Sequence, residues 1–350
     1  MHLPDDKKLP VDNLAACFSN TTTTYKFYWL LSVLQAVEIG GTRISKKELF
    51  ARMIATAWYT VNYFHVSFGK QDLIQNAVLK LKSIEGLSIE EKSVNIINKV
   101  AASKNQESEK LLWHFDRNVP HWFLSPWYPK RNSENETLRI KRIQKESQAL
   151  INNPLYALYE EYIEINPSWL DYIKVHCKIL KEFCYWNLTL FLQSKNPNVP
   201  DISGKLIKPP IRTSLIKQKK QFWDLVFNEL DLVECIYTKK QLHVKEYVID
   251  HFIPFNFVSH DLIWNLIPCD KIYNISKSDK LPILDIHFDA FYELHTSAIR
   301  IVKHKSPNSK LLEEYFTIIP DLCELEKNKF KELMQSLISI ASNNGFQFLN

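Results

Sequence analysis

The chain has 350 residues, of which 45% are hydrophobic and 13% aromatic, so it can build a sizeable core and is not a disordered protein. Its 44 basic and 39 acidic residues give a formal net charge of +5, which mildly favours a polyanionic partner without identifying one. Only six glycines occur, and the motifs GxxxxGK[ST] and GxGxxG are both missing from the sequence. These features exclude an evident NTPase or dinucleotide-dependent enzyme.

The cysteine and hydropathy patterns predict a cytoplasmic protein without a membrane anchor. The six cysteines form no CxxC pair, which in a chain of this length indicates reduced thiols rather than a disulfide framework. The longest apolar stretch, 27–39, is interrupted by polar residues and is too short to cross a bilayer. The polar start of the chain does not resemble a secretory signal.

The first two-thirds of the chain has helical patterning. Residues 25–38 carry apolar side chains at helical spacing until the Gly40-Gly41 pair stops the pattern. Capping-box patterns start at Ser45 and Ser88, each three residues before a glutamate. Helices are predicted at 25–38, 46–63, 89–102, 137–149, 154–165, 169–192 and 223–230, with an aromatic loop at 113–129 and an irregular connector at 196–220.

The pattern changes near residue 234. Short β-branched and aromatic runs at 234–237 and 244–249 predict a two-stranded hairpin, and helical patterning returns at 311–317 and 322–341. The sequence thus predicts a predominantly α-helical α+β fold with three parts. These are a helical recognition body at 1–230, a small α+β segment at 231–285, and C-terminal helices at 286–350 that pack on the body.

The segment 247–282 carries the strongest chemical signal. Asp250 and His251 end the second predicted strand, Asn265 follows 14 residues after His251, and Asn274 follows nine residues after Asn265. Lys277 comes one helical turn later. Hydrolysis of a phosphodiester needs an activated water, a cation at the scissile phosphate and groups that hold both.

Each of these side chains suits one part of that chemistry. His251 can accept a proton from water, because imidazole titrates near neutral pH. Asp250 and Asn274 offer hard oxygen ligands that suit Mg²⁺ or Mn²⁺. Asn265 can bridge backbone groups of the loop, and Lys277 can neutralise phosphate charge.

These residues and their spacing resemble the HNH (ββα-metal) endonuclease motif with the last His replaced by Asn. The segment is most similar to the HNH domain of type II RNA-guided CRISPR nucleases, and the rest of the chain resembles uncharacterised bacterial HNH proteins. The resemblance implies a hairpin and a helix around one Mg²⁺, with Asp250 and Asn274 as ligands, His251 as general base and Asn265 as a structural residue. Many HNH proteins also carry two CxxC zinc pairs. Here Asp270 and Tyr273 stand at the later positions, so no structural zinc is expected.

Three further features have both a functional and a structural interpretation. The stretch 202–220 contains no acid and could contact nucleic-acid phosphates or serve as a solvated linker. Its basic residues are Lys205, Lys208, Arg212, Lys217, Lys219 and Lys220. The aromatic loop 113–128 is interpreted as domain packing rather than a base-stacking platform. His260-Asp261 is interpreted as a solvated loop pair rather than a contact to DNA or metal.

The sequence therefore predicts a Mg²⁺-dependent HNH endonuclease that hydrolyses DNA, in bacterial defence against foreign DNA. One such centre cuts one strand, so double-strand cleavage would require a homodimer or a partner protein. Two alternatives stay open: a catalytically silent nucleic-acid-binding or assembly subunit, and an RNA-cleaving toxin.

Overall fold

The computed structural model describes residues 2–207, 213–322 and 325–349. Within these residues the chain forms two compact units, one of 2–197 and 202–207 and one of 198–201, 213–322 and 325–349. The predicted class is confirmed, because helices dominate both units and the strands are few and short. No helix in the described ranges combines the length and the apolar character needed to cross a membrane.

The first unit consists of helices around one small sheet. Its helices are α1 (Val11–Ala16), α2 (Tyr25–Glu38), α3 (Lys46–Asn62), α4 (Ile74–Ile84), α5 (Ser93–Ala102), α6 (Gln106–Trp113), α7 (Pro120–Phe123), α8 (Glu136–Gln148), α9 (Pro167–Lys195) and α10 (Ile202–Ile207). Its strands are β1 (Arg43–Ser45), β2 (Tyr156–Leu158) and β3 (Tyr162–Ile165).

Helix α2 forms the centre of this unit and has the predicted bounds. Most of its residues are buried, and it packs against α3 and α9. The helix ends before Gly40, whose φ of +94° is a left-handed conformation that favours glycine. A Cβ on Gly41 would lie 2.9 Å from the carbonyl oxygen of Ala36, so both glycines are needed at this turn.

The predicted helix at 154–165 is wrong. Strands β2 and β3 form an antiparallel hairpin there, and β1 pairs with the other edge of β3. In β3 the buried residues alternate with more exposed ones, and the β-branched Ile163 and Ile165 face the core. Asn152 and Asn153 adopt positive φ values just before the hairpin, which separates it from α8.

The capping-box predictions hold only in part. Helix α3 begins at Lys46 as predicted, but the Ser45 side chain makes no capping hydrogen bond because Ser45 belongs to β1. Helix α5 begins at Ser93, not at residue 89. Ser88 and Glu91 form a turn before the helix instead, in which the Glu91 N–H lies 3.4 Å from the Ser88 carbonyl.

The second unit carries a two-stranded sheet and several helices. Its strands are β4 (Val248–His251) and β5 (Leu266–Cys269). Its helices are α11 (Ile216–Gln218), α12 (Asp224–Glu229), α13 (Phe255–Val258), α14 (Lys271–Lys277), α15 (Leu284–Lys305), α16 (Lys310–Glu313) and α17 (Lys327–Asn343).

The predicted hairpin of 234–237 with 244–249 is wrong, because β4 pairs with β5 instead. The earlier run makes only an isolated bridge between Glu234 and Gln241. The buried Leu266 and Ile267 supply the apolar partner strand, and residues 252–265 form the connection between the two strands.

The two units do not follow the predicted three-part division. The C-terminal helices lie in the same unit as β4 and β5, and not in the unit of the helical body. The Phe291 ring of α15 stacks on Phe252 at 4.0 Å between centroids, and Phe346 contacts Phe257 edge-on at 5.9 Å. These aromatic contacts hold the connection after β4 against the C-terminal segment.

Candidate functional site

The predicted constellation lies on the hairpin and one helix of the second unit. In the antiparallel register Asp250 lies opposite Ile267 and His251 opposite Leu266. Neighbouring residues of a regular strand point to opposite faces. Asp250 and His251 nevertheless line the same cavity, because β4 ends at His251 and the chain turns toward Pro254.

Asn265 fixes the connection between the two strands. Its side chain is fully buried, and its Oδ1 accepts a hydrogen bond from the Ile253 N–H at 2.9 Å. Its Nδ2 donates to the Ile253 carbonyl at 2.8 Å. The Asn265 carbonyl also accepts from the Phe252 N–H at 2.8 Å. These contacts support the structural role that the sequence suggested.

Helix α14 places Asn274 at the same cavity. The helix is capped by Asp270, whose Oδ1 accepts from the Tyr273 N–H at 2.8 Å. Asn274 follows one turn later and lines the cavity. Among the described residues its side-chain amide has no hydrogen-bond partner, so its oxygen is available to a ligand.

Lys277 takes a position different from the predicted one. Its side chain is fully buried and its Nζ lies 3.1 Å from the Asp250 Oδ2. The same ammonium donates to the His251 carbonyl at 2.7 Å. Lys277 therefore compensates the buried Asp250 carboxylate and does not line the cavity where a phosphate would bind.

Tyr237 is the other partner of Asp250. Its hydroxyl donates to Oδ2 at 3.0 Å. Burial raises the pKa of Tyr237 well above its usual value, and the Asp250 charge adds to that effect, so the phenol stays protonated and remains a donor. Asp250 is 5% exposed, and these two neighbours hold its carboxylate at the edge of the cavity.

His251 is paired with the Asp261 carboxylate, so the interpretation of Asp261 as part of a solvated loop pair is wrong. Its Nε2 lies 2.8 Å from the Asp261 Oδ1, and the Thr213 hydroxyl donates to the other oxygen of Asp261. Burial alone would raise the pKa of Asp261, but the hydrogen bonds from His251 and Thr213 outweigh it and lower the pKa below its usual value. An ionised carboxylate only accepts, so Nε2 carries the proton and Nδ1 is the basic nitrogen of the neutral ring.

The four side chains that carry this chemistry share one cavity of about 310 Å³. They are Asp250, His251, Asp261 and Asn274. The volume lies at the lower end of the range for small-molecule sites, which suits one phosphate group with a hydrated ion. The predicted residues at 250, 251 and 274 are thus brought together.

The donors at this cavity fit a hard divalent cation. Asp250 contributes carboxylate oxygens and Asn274 an unpaired amide oxygen, which are ligands that Mg²⁺ accepts, with waters and substrate oxygens completing its shell. No group of three or more His, Cys, Asp or Glu side chains that could hold a metal occurs in the described ranges. Oxygen donors such as these suit Mg²⁺ or Mn²⁺ better than zinc.

Two cysteines meet at the base of the hairpin. The Sγ atoms of Cys235 and Cys269 lie 3.8 Å apart, and the Asp270 N–H lies 3.5 Å from the Cys235 sulfur. The hydrogen bond from Cys269 lowers the pKa of Cys235 to about 5, while the pKa of Cys269 is raised. The pair links the segment before β4 to the end of β5.

The predicted basic residues do not all offer their charge to solvent. Lys205 belongs to the first unit and is 1% exposed, so its ammonium is not offered to a polyanion. Lys219 donates to the Tyr247 carbonyl at 2.6 Å, whereas Lys217 and Lys220 are exposed in the second unit. The remaining two predicted residues, Lys208 and Arg212, lie outside the described residues.

Comparison with known proteins agrees with this geometry. A family model described as HNH endonuclease matches residues 235–283, the segment that contains β4, β5 and α14. Comparison with curated proteins and with solved structures gave no match. HNH endonucleases act on nucleic acid and typically use a divalent metal ion. The chain therefore carries an HNH endonuclease domain near its C-terminus, at residues 235–283.

Proposed function

We propose that this protein is a Mg²⁺-dependent endonuclease that hydrolyses DNA phosphodiester bonds at the cavity of Asp250, His251 and Asn274. The observation that carries the proposal is that a base, a carboxylate and an unpaired amide line one cavity within a segment that matches an HNH endonuclease model. This set provides proton acceptance and cation binding around one phosphate.

His251 acts as the general base through Nδ1. The hydrogen bond from Nε2 to Asp261 selects this tautomer and orients the ring. When a proton moves from water to Nδ1, the imidazolium forms beside the Asp261 carboxylate, which stabilises the new charge. Asp261 is therefore a positioning residue for His251.

Asp250 and Asn274 hold the metal ion. A bound Mg²⁺ would neutralise charge on the scissile phosphate and the leaving oxygen. Lys277 and Tyr237 hold the Asp250 carboxylate in place. Asn265 keeps the loop after β4 fixed, so that His251 stays at the cavity edge.

The test is a substrate panel with purified protein. Supercoiled plasmid, linear DNA and RNA are each incubated with Mg²⁺, with Mn²⁺ and with EDTA. We expect cleavage of DNA with either metal and none with EDTA. Cleavage of RNA alone would replace the proposal by the RNA-cleaving alternative, and binding of DNA without cleavage would replace it by the silent-subunit alternative.

His304→Ala provides a matched control for His251→Ala in this panel, because His304 is an exposed histidine of the same unit. Loss of cleavage in His251→Ala but not in His304→Ala would assign the activity to the cavity. Equal loss in both variants would point to a general effect of histidine removal and contradict the assignment.

We also propose that the protein acts in bacterial defence against foreign DNA, in the cytoplasm. The support is the resemblance of the chain to bacterial HNH proteins. The test is phage infection of cells that express the wild type, His251→Ala or His304→Ala. Protection by the wild type and His304→Ala, and not by His251→Ala, is expected, and equal protection by all three would contradict it.

A further inference from the structure

A second cavity, of about 570 Å³, lies within the first unit and has no part in the nuclease site. It is lined by residues before α2 and in its first turn, by Gln71 and Leu73 before α4, by residues between α6 and α8, and by Arg139 of α8. Its size falls within the range of small-molecule sites. Its lining is mostly polar, which indicates a ligand with charged or hydrogen-bonding groups.

Two cationic side chains face this cavity without a counter-charge. Lys26 and Arg139 both line it, neither forms a salt bridge, and no Asp or Glu is among the lining residues that the structure describes. Lys26 donates to the Cys17 carbonyl at 3.1 Å. Arg139 donates to the Tyr128 carbonyl at 3.2 Å from Nε and 3.0 Å from a terminal nitrogen. Both cations are thus held in place by neutral carbonyl groups.

The two cations are close enough to repel each other. Burial lowers the pKa of Lys26, and the charge of Arg139 lowers it further. Burial is also the main cause that lowers the pKa of Arg139. The Glu134 carboxylate partly offsets this effect at Arg139, but Glu134 is paired with Arg142 at 2.6 Å and does not line the cavity. Two partly desolvated positive charges carry an electrostatic cost that a bound anion would lower.

Three hydroxyl groups lie beside these cations. Thr21, Thr22 and Thr23 line the cavity, and none of their side chains has a hydrogen-bond partner in the described ranges. Free hydroxyls and cationic groups together match the acceptor oxygens of a phosphate.

An aromatic surface completes the site. Trp122 lines the cavity, and the Arg139 guanidinium lies over its ring at 5.3 Å from the centroid. The ring is partly exposed, so a planar base can stack against it. We propose that this cavity binds a nucleotide, with its phosphate held by Lys26, Arg139 and the three threonine hydroxyls and its base against Trp122.

The test is calorimetric titration of the full chain with defined probes. The probes are the common ribonucleoside monophosphates, adenosine and inorganic phosphate. We expect saturable binding of at least one monophosphate, with adenosine and phosphate each weaker by about tenfold or more, because each lacks one half of the contacts. Arg139→Gln and Lys26→Gln should each weaken binding by about tenfold or more.

Lys141→Gln is the matched control, because Lys141 lies on the same helix α8, is exposed and does not line the cavity. Its affinity should equal that of the wild type. Thr22→Val removes an exposed hydroxyl that no group in the described part of the chain uses, so it tests the site without disturbing the fold. Weaker binding in Thr22→Val with an unchanged unfolding temperature supports the proposal.

Three results would overturn it. The first is no saturable binding of any monophosphate up to millimolar concentration. The second is equal affinity in Arg139→Gln and Lys141→Gln. The third is binding of a short oligonucleotide but of no mononucleotide, which would make the cavity a contact for the nucleic-acid backbone. None of these results depends on nuclease activity.

Discussion

Replacing Asp261 by Asn tests how His251 is activated. The substitution keeps the size of the side chain and an acceptor oxygen, but it removes the negative charge that faces Nε2 at 2.8 Å. The neutral amide can also donate to the ring through its nitrogen, which would select the other tautomer and leave Nδ1 protonated. We therefore expect slower cleavage by a folded protein.

The magnitude follows from the type of contact. A hydrogen bond to a charged group contributes about 1.5 to 3 kcal/mol. If that contribution is lost when the imidazolium forms, the rate falls by about 10- to 150-fold, since about 1.4 kcal/mol corresponds to a factor of ten. The pKa of Asp261 is lowered below its usual value, so its charge persists through the neutral range and falls off only as the pH drops through that lowered value.

The assay is single-turnover cleavage of plasmid DNA in Mg²⁺ between pH 6 and 9. Asp231→Asn is the control, because Asp231 is an exposed carboxylate of the same unit outside the cavity. We expect Asp231→Asn to match the wild type at every pH. A rate for Asp261→Asn within twofold of the wild type across the range would refute the proposed role of this pair.

The remaining predictions concern the support of the site and the stability of its unit. Asn265→Ala leaves the N–H and carbonyl of Ile253 buried without partners, so we expect a loss of about 2 to 5 kcal/mol in urea unfolding, and a loss below 1 kcal/mol would contradict the bridge. Lys277→Met leaves the Asp250 carboxylate uncompensated and should cost about 3 to 5 kcal/mol, part of which Asp250→Asn should restore in the double variant; no recovery would count against the pair. His295 is fully buried, and burial lowers its pKa to about 3. Below pH 6.5 the unfolded state therefore binds more protons than the folded state, and the free energy of unfolding decreases as the pH is lowered. Between pH 6.5 and 4.5 this amounts to about 2.3 kcal/mol, and His295→Gln should lose that part of the pH dependence; an unchanged slope would show that His295 is not buried as a neutral ring.

The sequence spacing was sufficient to place Asp250, His251, Asn265 and Asn274, because a short hairpin and one helix bring them together through local connections. Asp261 was interpreted as part of a solvated loop pair, because its contact with His251 depends on a turn. Ser259 adopts a left-handed φ of 59°, and the chain then brings Asp261 back to His251 ten residues earlier. A polar pair in a loop gives no periodic pattern that would reveal this contact.

The helices at 25–38 and 169–192 were predicted well because their buried residues recur at helical spacing: α2 is mostly buried, and α9 buries one face. The hairpin at 156–165 was predicted as a helix because short apolar runs fit both the helical and the strand period. Its strand structure depends on pairing with β1, which is distant in sequence. The buried position of Lys277 could not be derived from spacing either. It depends on how α14 packs against β4, which brings the Lys277 ammonium to the Asp250 carboxylate.

The most direct measurement is the rate at which wild type and His251→Ala cut supercoiled plasmid in single-turnover conditions with saturating Mg²⁺. If His251 is the general base of the cavity, its removal should slow cleavage by about 10² to 10⁴-fold while the protein stays folded at the assay temperature. His251→Ala that cuts the plasmid as fast as the wild type would contradict the account.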